Sequence, residues 1–321
     1  MQKRKLAILD DYQKVALDSA EWSELQKLFD VSVFDYHLGD EAQVTETLSN
    51  FTVICCMRER TKFPESQLKS LPNLKLLVSS GAKNASIDSK VATEMGIVVC
   101  GTQSPGHAAS ELAWGLLSSL ARNIHLENTN IRNADGAYWQ TTIGSDLKGQ
   151  TLGIVGLGRH GSNMARFAKA FGMNVMAWSQ NLTEQTCETE AVAFVDKNTL
   201  FSEADFISVH LKMGKRNIGI IGHEEFSLMK PSSYIINTSR GPIIQEDALV
   251  KALEENKIAG AGLDVFDVEP LPRTHPLLKL ENALLTSHVG FVTKQTYEVF
   301  YKQTVEAVLN WEKGNTIRQI N

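Results

Sequence analysis

Residues 152–161 read Leu152-Gly153-Ile154-Val155-Gly156-Leu157-Gly158-Arg159-His160-Gly161. The apolar run predicts a short strand and the glycines a tight turn. Beyond them Met164, Phe167, Ala168 and Phe171 fall at i, i+3, i+4 and i+7, the stripe of an amphipathic helix. Each glycine has its own reason: Gly156 permits the turn, Gly158 lets backbone approach a pyrophosphate, and Gly161 lets the helix pack on the strand. The N–H groups at the helix start then face an anion. Such spacing arises by chance in a chain with 22 glycines, but strand, turn and helix together make this stretch a dinucleotide-site candidate that includes Arg159 and His160.

Working outward, the same alternation of short apolar runs and helix-length segments fills both flanks. Upstream, Leu6–Leu9, Val31–Phe34, Val53–Met57, Leu76–Ser79 and Ile97–Val99 predict five strands of a parallel sheet. Downstream of the glycine turn, Val175–Trp178, Phe206–Val209, Tyr234–Ile236, Ala261–Val265 and Ala283–Leu285 bring the second domain to six. The expected fold class is α/β, two doubly wound parallel-sheet domains. The first, residues 1–101 with 291–321, is expected to be discontinuous and flavodoxin-like, and residues 102–290 to form a Rossmann domain for the dinucleotide. The apolar segment Ala108–Ala121 reads as a buried helix crossing between the two, and Arg122–Gln150 as a loop-rich arm. The helical segment Lys294–Trp311 needs a surface to pack on, and a return to the first domain supplies one.

Composition narrows the function. An apolar content of 43% with 21% charged residues describes a soluble globular chain, and a net charge of -5 carries no basic footprint for nucleic acid. The apolar run at the N-terminus stops at Leu9 before two aspartates, too short for a signal peptide or a membrane span. Cys55, Cys56, Cys100 and Cys187 have neither the number nor the spacing of a disulfide framework or a metal site. No metal, no membrane and a cytoplasmic location are therefore expected.

At the end of the second strand of such a domain an acid would hold the adenosine ribose. Here the chain reads Trp178-Ser179-Gln180-Asn181, with Glu184 the nearest carboxylate. Ser179 can hydrogen-bond either cofactor, so the choice between NAD and NADP stays open with a slight lean to NAD.

Three later segments each place a polar group just past a strand: Ile236–Gly241 with Arg240, Leu263–Pro270 with Glu269, and Leu285–Gly290 with His288. Singly these are ordinary features, a surface Arg-Gly turn, a Glu-Pro loop cap and a structural histidine. In this order, downstream of this glycine turn, they make the chain resemble the D-isomer-specific 2-hydroxyacid dehydrogenases, a family that includes glyoxylate/hydroxypyruvate reductases and phosphoglycerate dehydrogenases. The likeness extends to Ser80-Gly81-Ala82 and to Ala109-Ser110-Glu111-Leu112. It implies reversible NAD(P)-dependent hydride transfer between a small 2-keto acid and its D-2-hydroxy acid, in a homodimer.

Reduction of a ketone develops negative charge on its oxygen, which calls for a proton donor and a cation. His288 is the natural donor, Glu269 its partner at the other ring nitrogen, and Arg240 a planar fork for carboxylate and ketone. The resemblance further implies that backbone N–H groups of Ser80, Gly81 and Ala82 grip the substrate carboxylate. It also implies that Asp264 holds the nicotinamide carboxamide and that His210 and Thr238 line the cofactor. Two positions depart from the family pattern: Ser287 stands where proline usually precedes the histidine, and His160 where the turn usually carries an aliphatic residue. The alternative on this fold is a dinucleotide-sensing, corepressor-like protein without turnover.

Overall fold

The computed structural model describes residues 3–133 and 139–321; residues 134–138 of the expected arm lie outside them. The chain divides into two compact units, residues 1–105 with 292–321, and residues 106–291.

In the first unit the strands are β1 (Arg4–Ile8), β2 (Phe29–Val33), β3 (Phe51–Cys56), β4 (Leu76–Ser79) and β5 (Val98–Gly101). They pair in parallel in the order β2-β1-β3-β4-β5, the flavodoxin-like arrangement. The inner strands are apolar without alternation because helices cover both faces; Val53, Ile54, Leu76, Leu77 and Val78 are fully buried. The long helix Lys294–Glu312 packs on β4 and on the helix Ser23–Leu28, burying Tyr297, Phe300, Tyr301 and Val308. The C-terminal residues then run along the outer edge of β5. The Gly101 N–H donates to Arg318 O at 2.9 Å and the Ile320 N–H to Val99 O at 2.8 Å, covering an edge that would otherwise be open.

The second unit contains β6 (Thr151–Val155), β7 (Asn174–Trp178), β8 (Ala193–Phe194), β9 (Phe206–Val209), β10 (Tyr234–Asn237), β11 (Gly260–Leu263) and β12 (Ala283–Leu285). All pairs are parallel, in the order β12-β11-β10-β9-β6-β7-β8, so strand order reverses between β6 and β9. Seven strands replace the six expected. The extra one, β8, is two exposed residues long and has no apolar run to announce it. The helix Ala108–Ala121 belongs wholly to this unit, against the helix Arg159–Ala170, β10 and β11. Its approach to β11 depends on Gly262, where an added Cβ would lie 3.1 Å from both Leu116 Cβ and Leu120 Cδ1.

All four cysteines are free and buried, and burial pushes the Cys55 and Cys56 thiols far above their usual values. Among the described residues no helix is long and apolar enough to cross a membrane.

Candidate active site

In a parallel sheet every loop after a strand leaves from the same edge, so neighbouring strands deliver neighbouring loops. β10, β11 and β12 are adjacent and end level, Asn237 pairing with Leu263 and Leu263 with Leu285. The loops carrying Arg240, Glu269 and His288 therefore start side by side.

Each loop is shaped by side chains of its own sequence. After β10, the buried Asn237 brackets a turn: its Oδ1 accepts from the Ser239 N–H at 3.0 Å and its Nδ2 donates to Arg240 O at 2.9 Å. Ser239 Oγ donates to Val209 O at 2.8 Å, tying the turn to β9, and Arg240 Nη1 donates to Ser239 O at 2.7 Å. Beyond β11, Glu269 Oε1 accepts from the Phe266 N–H at 2.9 Å, closing the turn that carries it. Past β12, the 1% exposed Asp264 collects the His288 loop. Its carboxylate accepts from Thr286 Oγ1 at 2.6 Å and from the N–H groups of Val289 and Gly290, each at 2.8 Å. Burial raises the Asp264 carboxyl above its usual value against the pull of those donors. Residue 287 takes no part in this clamp, so Ser287 leaves the aim of His288 to Asp264.

His288 sits at φ +53°, a left-handed conformation uncommon for a residue with a Cβ. Strain of this kind persists where surrounding contacts fix it, here the Asp264 clamp. The ring lies edge-on to Phe291, and its Nδ1 is 2.6 Å from Glu269 Oε2. An ionised carboxylate only accepts, so Nδ1 carries the donated proton.

Burial pushes the Glu269 carboxyl upward. The His288 hydrogen bond and charge, the Phe266 N–H and the Arg240 charge outweigh it and hold the group below its usual 4.5. A carboxylate whose folded-state pKa is lowered adds stability that is fully present above the unfolded value and lost as pH falls through the folded one. Between about pH 6 and about pH 3 the thermal midpoint of the wild type should therefore fall more steeply than that of Glu269→Gln, which gains no such proton. Parallel curves would contradict the pairing.

Gly241 joins the first two loops. A Cβ there would lie 2.1 Å from the carbonyl carbon of Phe266 and 2.5 Å from the Asp267 nitrogen, backbone atoms that cannot swing aside. Gly241→Ala should cost at least about 1–3 kcal/mol by overpacking. It should also depress turnover, because Arg240 and Glu269 are pushed apart; a thermal melt and a kcat measurement check both, and wild-type values would contradict so close a contact.

The glycine turn occupies the other half of the same sheet edge, where β9, β6 and β7 are neighbours. Gly156 has φ +101° and Gly158 has open space where a Cβ would stand, while a Cβ at Gly161 would fall 2.2 Å from Gly156 O. The helix Arg159–Ala170 begins with no side-chain cap, leaving its first N–H groups for an anion. These features fit the pyrophosphate of a dinucleotide. A cavity of about 790 Å³ adjoins them, lined in part by Gly156, Gly158, Ser179, Asn181 and His210. Burial, then proximity to His160, pushes the His210 imidazole down to about 3, so the ring is neutral, with Nε2 2.8 Å from Ser208 Oγ. His160 is itself lowered by burial and then by the charges of Arg159 and His107.

Not every expected residue lines this cavity. Thr238 hydrogen-bonds Ala109 O at 3.5 Å, and Asp264 lies beneath the His288 loop. In the first unit, the Ser80 N–H donates to Cys56 O at 3.0 Å and the Gly81 N–H to Thr102 Oγ1 at 2.7 Å. Two of the three amides expected to hold a carboxylate are thus already engaged, leaving Ala82. Sequence reasoning missed Lys212, Lys215 and Arg216, which also line the cavity. Their signal was position: they follow β9 directly, and β9 flanks the glycine strand.

Residues 114–290 match the family described as D-isomer specific 2-hydroxyacid dehydrogenase, NAD binding domain. A glyoxylate reductase of Thermococcus litoralis is 37% identical over 262 residues, 79% of this chain and 78% of that protein. A D-3-phosphoglycerate dehydrogenase of Methanocaldococcus jannaschii is 36% identical over 271 residues, 82% of this chain and 51% of that longer protein. Among solved structures, the phosphoglycerate oxidoreductase of Vibrio cholerae O395 superposes with a TM-score of 0.91 at 32% identity, covering 97% of this chain and 99% of that one. The chain belongs to the D-isomer-specific 2-hydroxyacid dehydrogenase family. It is an oxidoreductase that interconverts 2-keto and 2-hydroxy acids, and none of these comparisons supports the turnover-free sensing alternative.

Proposed function

We propose that this chain reduces a small 2-keto acid such as glyoxylate or hydroxypyruvate to its D-2-hydroxy acid, with Arg240, Glu269 and His288 as the reacting set. The observation that carries the reading is the 2.6 Å bond from His288 Nδ1 to Glu269, on the loop adjoining that of Arg240. A bound nicotinamide dinucleotide supplies the hydride. Nε2 of His288, which has no hydrogen-bond partner among the described residues, delivers a proton to the ketone oxygen and recovers it in the reverse direction. Glu269 keeps the proton on Nδ1 and balances the imidazolium charge. The guanidinium of Arg240, oriented by Ser239 O, takes the substrate carboxylate and polarises the ketone. Asp264 acts through the His288 loop as well as on the cofactor, and the Ala82 N–H is offered as an anion donor of the first unit.

The cofactor reading rests on the glycine turn, the uncapped helix start and His210, a neutral ring beside the cavity. Exposed apolar side chains on the arm, Ile143 at 97% and Trp139 at 68%, fit a homodimer contact. The reduced, buried cysteines fit the cytoplasm. Loss of reduced-cofactor absorbance against glyoxylate, hydroxypyruvate and pyruvate, run with NADH and with NADPH, tests the reading. A flat trace with all three, while cofactor binds, would overturn this choice of substrate.

A further inference from the structure

The loop after β9 reads Lys212-Met213-Gly214-Lys215-Arg216-Asn217, and all six residues line the cavity beside the glycine turn. Across from them are Ser179 and Asn181, at the end of β7 where an acid would grip the ribose of NAD. The sheet brings these loops together: β9 and β7 both flank β6. A hydrogen bond from Gln180 Nε2 to Arg216 O at 3.3 Å then links the β7 loop to the basic one. The basic loop is itself braced, Asn217 Nδ2 donating to Lys212 O at 2.7 Å.

The charge of this cavity is one-sided. Among the described residues three cations line it and no carboxylate does; Glu184, the nearest acid along the chain from Ser179, is not among its walls. In a chain of net charge -5 such a concentration of positive charge is local and specific. An exposed cationic cluster beside a hydroxyl and an amide, at the ribose end of a dinucleotide cradle, suits a phosphomonoester: cations supply charge-assisted bonds and Ser179 a further donor.

We propose that Lys212, Lys215 and Arg216, together with Ser179, bind the adenosine 2′-phosphate of NADP(H), making this protein NADP-preferring. The assignment rests on the dinucleotide reading of the glycine turn and turns the near-even choice left by Ser179–Asn181 toward NADP. Residues before and within the glycine turn carry the parts common to both cofactors; the basic loop carries the part that distinguishes them.

The test uses nucleotides without a nicotinamide, so it does not depend on turnover. Calorimetric titration of the full chain at low salt with adenosine 2′,5′-bisphosphate and with 5′-AMP should give at least about tenfold tighter binding of the bisphosphate. In Lys215→Ala/Arg216→Ala the ratio should fall toward one. Ser179→Asp, which places an acid at the ribose, should lower the ratio by a separate route. Equal binding of the two nucleotides by the wild type, or a ratio untouched in the double variant, overturns the proposal while the dinucleotide reading stands. Binding of neither nucleotide overturns both together.

Discussion

Replacing His288 by alanine is expected to lower kcat by about 10²–10⁴-fold, the usual contribution of a positioned general acid, while reduced cofactor still binds. The separation of effects follows from the sheet. His288 follows β12, whereas the cavity beside the glycine turn is built from loops after β6, β7 and β9, on the far side of β10 and β11. Removing the ring deletes the group hydrogen-bonded to Glu269 at 2.6 Å and leaves the Asp264 clamp, whose donors are Thr286 and two backbone amides, intact. The variant should therefore fold, bind cofactor with near-normal affinity and lack the proton donor. Partial rescue by added imidazole would mark the loss as chemical; near-normal turnover would remove His288 from the reaction.

Arg240→Ala is expected to lower kcat/KM by about 10²–10³-fold, as removal of a donor to a developing oxyanion does elsewhere. Both constants should change, since the guanidinium is assigned the carboxylate in the bound state and the ketone oxygen in the transition state. Arg240→Lys is the informative companion. It keeps the charge that helps hold Glu269 ionised but loses the planar fork and the bond from Nη1 to Ser239 O, so recovery should be small. Full recovery by lysine would reduce the role of Arg240 to charge alone.

Much of the fold is readable in the amino-acid sequence. The glycine stretch worked as a signal because each glycine meets a different steric demand: positive φ at 156, an open face at 158 and a 2.2 Å approach to backbone at 161. Inner strands such as Leu76–Ser79 were legible to the residue because burial on both faces makes them continuously apolar. Edge strands blurred: β2 starts at Phe29 rather than Val31, and its Asp30 faces solvent, so the apolar run understates the strand. β8, two exposed residues, left no pattern at all.

The candidates Arg240, Glu269 and His288 were legible by type and order, but what holds them in place was not. Asn237 bracketing the Arg240 turn, Gly241 lying against Phe266 and Asp264 clamping the His288 loop depend on which strands become neighbours, a property of the whole sheet. The same holds for Lys212, Lys215 and Arg216, which stand far along the chain from Ser179 and meet it across one cavity.

The most direct test follows reduced-cofactor absorbance after a small 2-keto acid is mixed with the cofactor-loaded wild type and with an Arg240→Ala/His288→Ala variant shown to bind the cofactor. The account expects the wild type to oxidise cofactor in step with keto acid consumed and the double variant to leave it reduced. Turnover by the double variant at a rate near wild type would contradict the account.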